Sequence, residues 1–295
     1  MGDQRPIILW AHPRSLSTVF ERPFLQCPQE FHVIHEPFVP IRLAYKTKNF
    51  KFLNKIPLPK PTDPITFVHH FSPILNEFLA PHYYNEDKTH TLRVFVKDHA
   101  TDFLYALEGN PLRSKETLSK FQHTFLIRNP EKSIKSYYKA ANSTYNDWNK
   151  ADVPNLERID LFSSNKIGLE EPRILYDLIK DITGENIALV DADDLVREPE
   201  KVLRKYCEMI NVKFKKEMLE WKAEKVEIWD NKKISSLNHL PDFNYNLWHK
   251  NAMQSTRFEK LINNDEEIEY PQIVYELIAK SKPHYEYLFQ HRIKI

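Results

Sequence analysis

The chain has 295 residues, 41% of them hydrophobic, enough for one α/β domain with insertions and a substantial core. Lysine and arginine number 42 against 41 aspartate and glutamate, and a net charge of +1 argues against a general nucleic-acid or membrane-surface binder, so any basic site must be local. Two cysteines, Cys27 and Cys207, are too few for a disulfide framework and fit a reducing compartment, while leaving a single bridge open.

The first polar residues pass directly into Ile7–Ala11, too short for a signal-peptide core, and no run reaches membrane-spanning length. The expectation is a cytoplasmic protein with no membrane partner. With 4 glycines against 20 prolines, turns must be set by Pro, Asn and Asp. Five short apolar runs rich in β-branched or aromatic residues follow one another: Ile7–Ala11, Phe31–Ile34, Arg93–Val96, Thr124–Ile127 and Ile187–Val190. Each is too short for a helix. Asn129-Pro130-Glu131 after the fourth and Glu198-Pro199-Glu200 after the fifth read as helix starts, with Pro suited to the first turn. Strands alternating with helices predict an α/β fold with a mostly parallel sheet of about five strands, covered on both faces.

In such sheets ligands sit at the carboxyl ends of the strands. Arg14 with its neighbouring hydroxyls, His35, Glu36, Lys97, His99, Arg128, Asp191, Asp193 and Asp194 all fall just after a run and are expected to converge there. The whole chain, 1–295, reads as one domain with insertions around 40–92 and 142–170 and a C-terminal lid and helix region at 226–295, closed by a helix from Pro271 to Phe289. The first insertion carries the basic stretch Lys46–Lys60 together with Phe67, Phe71, His82, Tyr83 and Tyr84. It fits a lid or acceptor wall as well as a solvated subdomain.

The first run leads into His12-Pro13-Arg14-Ser15-Leu16-Ser17-Thr18. Strand, loop and helix in succession make an anion site, because the first turn of a helix leaves N–H groups without partners. The hydroxyls of Ser15, Ser17 and Thr18 add donors, and Arg14 adds a planar fork suited to phosphate or sulfate oxygens. The loop lacks the glycines and the lysine of G-x-x-x-x-G-K-[ST], so it is a poor Mg-ATP loop. A second element of the same kind is Thr124–Ala140, where a buried-type strand delivers Arg128 and a helix opening at Pro130 carries Ser133, Ser136 and Tyr137.

Arg128-Asn129-Pro130 followed by Ser136 and Tyr138 resembles the R-[DN]-P-x-x-x-x-x-S-x-Y segment of sulfotransferases that use 3′-phosphoadenosine 5′-phosphosulfate (PAPS). Pro13-Arg14-Ser15-Leu16-Ser17-Thr18 is similar to that family's P-[KR]-S-[GA]-[ST]-[ST] loop, and Ile187–Ile210 resembles its acidic-Leu turn with a following Pro and helix. The resemblance spans scattered parts from Ile7 to Ile210. It implies a three-layer α/β/α fold like that of the P-loop NTPases. It further implies that Arg14, Ser15, Leu16, Ser17 and Thr18 hold the phosphosulfate of PAPS, and that Arg128 and Ser136 hold the 3′-phosphate. Two departures stand out. Leu16 replaces a small residue, and the family's Arg-Lys-Gly segment near the C-terminus is absent. Trp248–Phe258 is the nearest replacement, with Lys250, Ser255 or Arg257 as groups that could close over the nucleotide.

Sulfonyl transfer needs a clamp for the leaving nucleotide, positive charge around the transferring group and a base for the acceptor proton. Lys97 and His99 are two residues apart at the end of a strand and face the same way. A neutral imidazole suits proton removal near pH 7. Lys97-Asp98-His99 resembles the family's Lys-Thr-His segment, in which His is the base and Lys steadies the bridging oxygen. Glu36, in His35-Glu36-Pro37-Phe38, is the rival base, because some carbohydrate-acting branches carry a similar Glu-Pro segment there. It reads equally as a structural partner of Arg14 or Arg22.

No metal is expected, since His32 with His35 and the pair His69-His70 lack Cys or carboxylate partners at a usual ligand spacing. No G-x-S-x-G elbow supports a Ser-His-Asp hydrolase. The function expected is transfer of a sulfonyl group from PAPS to a hydroxyl or amine of a small-molecule acceptor, without a metal. An ATP-dependent small-molecule kinase and a non-catalytic sensor of adenosine bisphosphate are the alternatives. The acceptor's identity and the oligomeric state are not written in the sequence.

Overall fold

Ile7–Ala11 is apolar at all five positions and can be buried only as a central strand, since both of its faces then need cover. In the computed structural model, which describes residues 3–39, 75–76, 78–79, 83–84, 87–107, 114–150, 167–230, 246–259 and 269–295, this strand, β1, lies at the middle of the sheet. The other strands are β2 (Phe31–His35), β3 (Arg93–His99), β4 (Gln122–Ile127) and β5 (Ala188–Asp191). Their order is β2-β3-β1-β4-β5 and every pairing is parallel. The chain builds outward from β1 in both directions. This leaves a crevice at its carboxyl end, the place where open α/β sheets take ligands.

Alternation along β1 divides the core. Ile7 and Leu9 pack with Phe20 and Phe24, from the short helices α1 (Ser17–Phe20) and α2 (Arg22–Leu25). Leu195, Val202, Leu203 and Tyr206 join that side from α7 (Ala192–Arg197) and α8 (Pro199–Met209). Ile8 and Trp10 pack on the other face with Phe103 of α3 (Ala100–Leu107), Leu118 of α4 (Lys115–Leu118), and Leu175 and Ile179 of α6 (Glu170–Thr183). Sheet and two helical faces make a three-layer α/β/α fold, as expected. Each fully buried large side chain contributes about 1.5–3 kcal/mol, so the two faces anchor β1 and with it the loop that follows. A third cluster joins α5 (Pro130–Lys150) to α10 (Gln272–Gln290) through Ile134, Tyr137, Val274 and Leu277.

Several boundaries differ from the sequence expectation. β3 runs on to His99, so Lys97 and His99 lie within the strand, Lys97 opposite His35 and His99 opposite Ala11. α5 continues to Lys150, into the insertion expected around 142–170, because no proline or glycine interrupts 131–150. Asp191 opens a helix rather than a turn, its carboxylate accepting from the N–H groups of Asp193 (2.9 Å) and Asp194 (3.2 Å). Tyr285 also donates to Asp191, and Arg197 and Arg292 bond Asp194, so this acidic group serves the scaffold. Cys27 and Cys207 are both free and buried. Lys46–Lys60, Phe67, Phe71, His82 and His69-His70 lie outside the described residues. No helix of the described residues is long and apolar enough to cross a membrane.

Candidate active site

The loop after β1 turns sharply. The N–H of Ser15 donates to the carbonyl of His12 (3.2 Å), and Arg14 and Leu16 both take left-handed backbone, with φ of 65° and 70°. Leu16 is where a glycine would sit without strain; as leucine it costs about 1–2 kcal/mol of backbone energy but packs against the core beside Phe20 and Phe24. α1 is a single turn and breaks at Glu21 before α2 begins. So short a helix supplies little macrodipole, and the positive charge at this end of β1 comes from side chains.

Those side chains meet across the crevice. Arg14 Nε donates to Ser136 Oγ (3.1 Å) and its Nη1 to the carbonyl of Trp248 (2.6 Å), on α9 (Asn246–Gln254). Arg128 Nη1 donates to the carbonyl of Arg14 (3.0 Å), and the Arg128 N–H donates to Nε2 of His12 (3.1 Å). Both residues are half-buried, and among the described residues neither makes an ion pair. Burial, with Arg128 close by, pushes the Arg14 guanidinium down to about 10. Burial also lowers Arg128, against the more distant pull of Asp193 and Asp191. Ser15 is fully buried with its Oγ lacking a hydrogen-bond partner among the described residues. Two arginines with no carboxylate on them among the described residues, beside a buried hydroxyl with no partner there, are costly to leave unanswered.

On the other side of β1 stands a carboxylate network. Lys97, fully buried, makes a short hydrogen bond to Glu36 Oε1, while His99 Nε2 lies 3.4 Å from the same oxygen. Glu36 has φ of 43°, a strained value for this side chain, and its N–H donates to the Lys97 carbonyl (2.7 Å). Burial alone would push the Glu36 carboxyl up; Lys97, with His35, His99 and His249, holds it well below the usual carboxylate range. Burial would lower Lys97, but Glu36 and then Glu21 keep its ammonium above its usual value. His99 Nδ1 faces Asp102 Oδ2 at 3.6 Å. Behind Glu36, His35 Nδ1 bonds the buried Glu21 carboxylate (2.8 Å), which also accepts from Trp229 Nε1 (2.8 Å).

Arg14, Arg128 and Ser136 are thus in one place, and Lys97, His99 and Glu36 in another beside it. Ser17 is buried and Thr18 half-buried on α1. The C-terminal candidates are elsewhere. Ser255 Oγ accepts from Trp221 Nε1 (3.1 Å) and donates to the Ala252 carbonyl (2.9 Å), so it holds α9 in place. Arg257 is exposed and faces Glu259 (3.5 Å), and Lys250 is exposed on α9. Glu36 is partnered by Lys97 rather than by Arg14 or Arg22, whose Nη2 bonds the carbonyls of Glu224 and Ala252. Four residues that the motifs did not single out join the site: His12, Glu21, Asp102 and His249. His12 directly precedes the loop, which is its only sequence signal. His249 comes from α9 and packs edge-on to His35, with ring centroids 4.9 Å apart.

His35, Glu36 and His249 offer ligand atoms within 4.8 Å of one another, as do Asp98, His99 and Asp102. In the first group Lys97 already supplies the cation at Glu36, and in the second Asp98 spends its oxygens on the N–H groups of Phe38 and His99, each at 2.7 Å.

A family model described as "Sulfotransferase domain" matches residues 5–236. Branched-chain-amino-acid aminotransferase-like protein 1 of Arabidopsis thaliana is 28% identical over 180 residues, 60% of this chain and 26% of that protein. Its homologue in the same plant, protein 2, is 32% identical over 109 residues, 37% of this chain and 16% of that protein. The chain therefore spans about a quarter or less of the length of these relatives. The solved sulfotransferase domain from the curacin biosynthetic pathway superposes over 95% of this chain and 98% of that one, at 13% identity and a TM-score of 0.44. With the match running from before β1 to beyond the last residue of β5 and α8, the chain belongs to the sulfotransferase domain family.

Proposed function

We propose that the protein transfers the sulfonyl group of PAPS to a hydroxyl or amine of a small-molecule acceptor, in line and with side-chain cations in place of a metal. The observation that carries the reading is the pair of half-buried arginines, Arg14 and Arg128, in one corner of the crevice with no carboxylate on either among the described residues, in the loop that also holds the buried hydroxyl of Ser15. Adenosine 3′,5′-bisphosphate, the leaving group, carries phosphates at both ends and would satisfy such a cradle.

His99 is the base in this account. Its Nδ1 side faces Asp102, which orients the ring, and its Nε2 side faces Glu36 and the crevice. Its side chain is 15% exposed, while Lys97 is sealed against Glu36 at 0%. The acceptor proton passes to His99 Nε2 as the acceptor oxygen or nitrogen bonds sulfur and the sulfur–oxygen bond to the bisphosphate breaks. Asp102 and Glu36 then face the imidazolium. Lys97 stands one step behind, where it balances Glu36 and adds positive field at the leaving oxygen.

Single-turnover transfer from PAPS separates the candidates for base. His99→Ala is expected to slow the chemical step by about 10²–10⁴-fold, the usual worth of general-base catalysis, and Glu36→Gln to slow it less. Full activity in His99→Ala with loss in Glu36→Gln would move the base to Glu36.

A further inference from the structure

Asp98 lies between Lys97 and His99, the two residues of β3 that the proposed reaction uses, and has no part in that reaction itself. Alternation along the strand turns its side chain to the opposite face of the sheet from theirs, the face of Trp10 and Phe38. There it is fully buried, with both oxygens in use. Oδ2 accepts from the N–H of Phe38, in the turn after β2, and Oδ1 from the N–H of His99, each at 2.7 Å. One carboxylate thus holds two pieces of backbone that carry the site.

The turn is the one that delivers Glu36. Glu36 has left-handed backbone, φ of 43°, which its side chain resists, and such a residue persists only where its surroundings fix it. Its own N–H is fixed by the Lys97 carbonyl (2.7 Å). Pro37 follows and has no N–H to give. The N–H of Phe38 is therefore the first donor past the strained residue, and Asp98 takes it. β3 grips the turn on both sides of Glu36.

We propose that Asp98 is a positioning residue for the transfer step: it pins the Glu36 turn to the end of β3 and so sets the Glu36 carboxylate against Lys97 and His99. This rests on the PAPS reading above and adds to it a residue that acts through another.

Two further observations support the assignment. Glu36 Oε1 serves two partners at once, bonding Lys97 and standing 3.4 Å from His99 Nε2. A turn displaced by about an ångström would lose that double contact and leave the buried Lys97 ammonium without its counter-charge. Second, Asp98 is costly to bury. Burial, with Asp102 and Glu36 near, pushes its carboxyl well up, while the N–H groups of Phe38 and His99 pull the other way. A neutral residue would be cheaper, but Asp is the shortest side chain with two acceptor oxygens. The threonine at this place in the Lys-Thr-His segment has one.

Single-turnover breakdown of PAPS by excess enzyme, with water as the acceptor, tests the proposal. The water oxygen bonds sulfur, the bond from sulfur to the leaving phosphate oxygen breaks, and the proton passes to His99 Nε2, giving sulfate and adenosine 3′,5′-bisphosphate. The rate is measured for the wild type, Asp98→Asn, Asp98→Ala, Glu36→Gln and the double variant of Asp98→Asn with Glu36→Gln. Calorimetric titration with the bisphosphate and thermal melting accompany each. Asp98→Asn keeps one acceptor oxygen and Asp98→Ala none, so the step should slow by about 10-fold and about 100-fold, the order that misplacing a group by an ångström costs. Bisphosphate affinity should stay within about twofold of wild type. Once Glu36→Gln leaves no charge to place, adding Asp98→Asn should cost less than about threefold more. The same cost in both backgrounds would overturn the proposal, as would a full rate in Asp98→Asn or a matching loss of bisphosphate affinity. If Asp98→Ala does not fold, Asp98→Asn and the double variant decide. A wild type that binds the bisphosphate but leaves PAPS intact overturns the role alone; one that does neither brings down the PAPS reading and this role with it.

Discussion

Leu16 is the residue at which the local and tertiary demands on this chain conflict most openly. Its backbone is left-handed, which a side chain resists, yet the side chain packs into the core below the sheet. Two substitutions separate the contributions. Leu16→Ala removes the packing and keeps the strain, whereas Leu16→Gly removes both. Glycine should therefore be the more stable of the two by about 1 kcal/mol, read by urea unfolding at equilibrium. An alanine variant as stable as the glycine one would show that the loop carries no strain at this position. The motif reading identified the residue as a departure from a small-residue pattern, and the positive φ gives that pattern its physical reason.

At the scale of elements, β1 and β4 are joined at Trp10 by one buried imidazole. His123 on β4 accepts from Trp10 Nε1 at Nδ1 (2.9 Å) and faces the Leu118 carbonyl through Nε2 (3.0 Å), which fixes the neutral tautomer with its hydrogen on Nε2. A proton on Nδ1 would break the bond to Trp10. Burial holds this group down to about 4, against an ordinary value of 6.5. Between those values the unfolded chain binds more protons than the folded one, so stability is whole above pH 6.5 and falls as pH drops toward 4, by up to about 3 kcal/mol. His123→Gln should flatten that part of the stability profile measured by urea titration from pH 7 to 4; an unchanged slope would contradict the assignment.

A second junction is tighter. Gly168, just before α6, has the Ser281 side chain of α10 against it, so a Cβ there would strike Ser281 Oγ while standing 3.5 Å from its Cβ. Gly168→Ala should destabilise by about 1–3 kcal/mol, and adding Ser281→Ala should restore most of the loss, because only the hydroxyl is in the way. Failure of the second substitution to rescue would mean that the backbone, and not the hydroxyl, sets the distance between these helices. Neither contact was visible in the sequence. Gly168 stands out as one of only 4 glycines, but its partner lies more than a hundred residues away.

For the whole molecule, the five apolar runs announced the five strands, and the prolines at 130 and 199 announced α5 and α8, because local pattern and burial agree in a parallel sheet covered on both faces. Lys97, His99, Arg14, Arg128 and Ser136 were legible for the same reason: each lies in or just after a strand or on the first turns of the following helix. The groups that complete the site were not. Glu21 is paired with His35 across the sheet, Asp102 faces His99 from the start of α3, and His249 reaches His35 from α9. The Glu21 and His249 contacts join separate elements with no periodic signature, and Asp102, only three residues from His99, belongs to no motif that would single it out. Ser255, a candidate nucleotide contact, accepts from the indole N–H of Trp221, which needs a partner once buried. Only the packed chain shows that demand.

The central claim is that the crevice beside β1 holds an adenosine carrying two anionic ends and needs no metal to do so. Calorimetry with adenosine 3′,5′-bisphosphate and with Mg-ATP, on the wild-type chain and on Arg128→Ala, addresses it most directly. The account predicts magnesium-independent binding of the bisphosphate, weakened by about 10–100-fold in Arg128→Ala, with the melting temperature of the unliganded variant reporting that its fold is intact. Binding of Mg-ATP alone, or bisphosphate binding indifferent to Arg128, would contradict it.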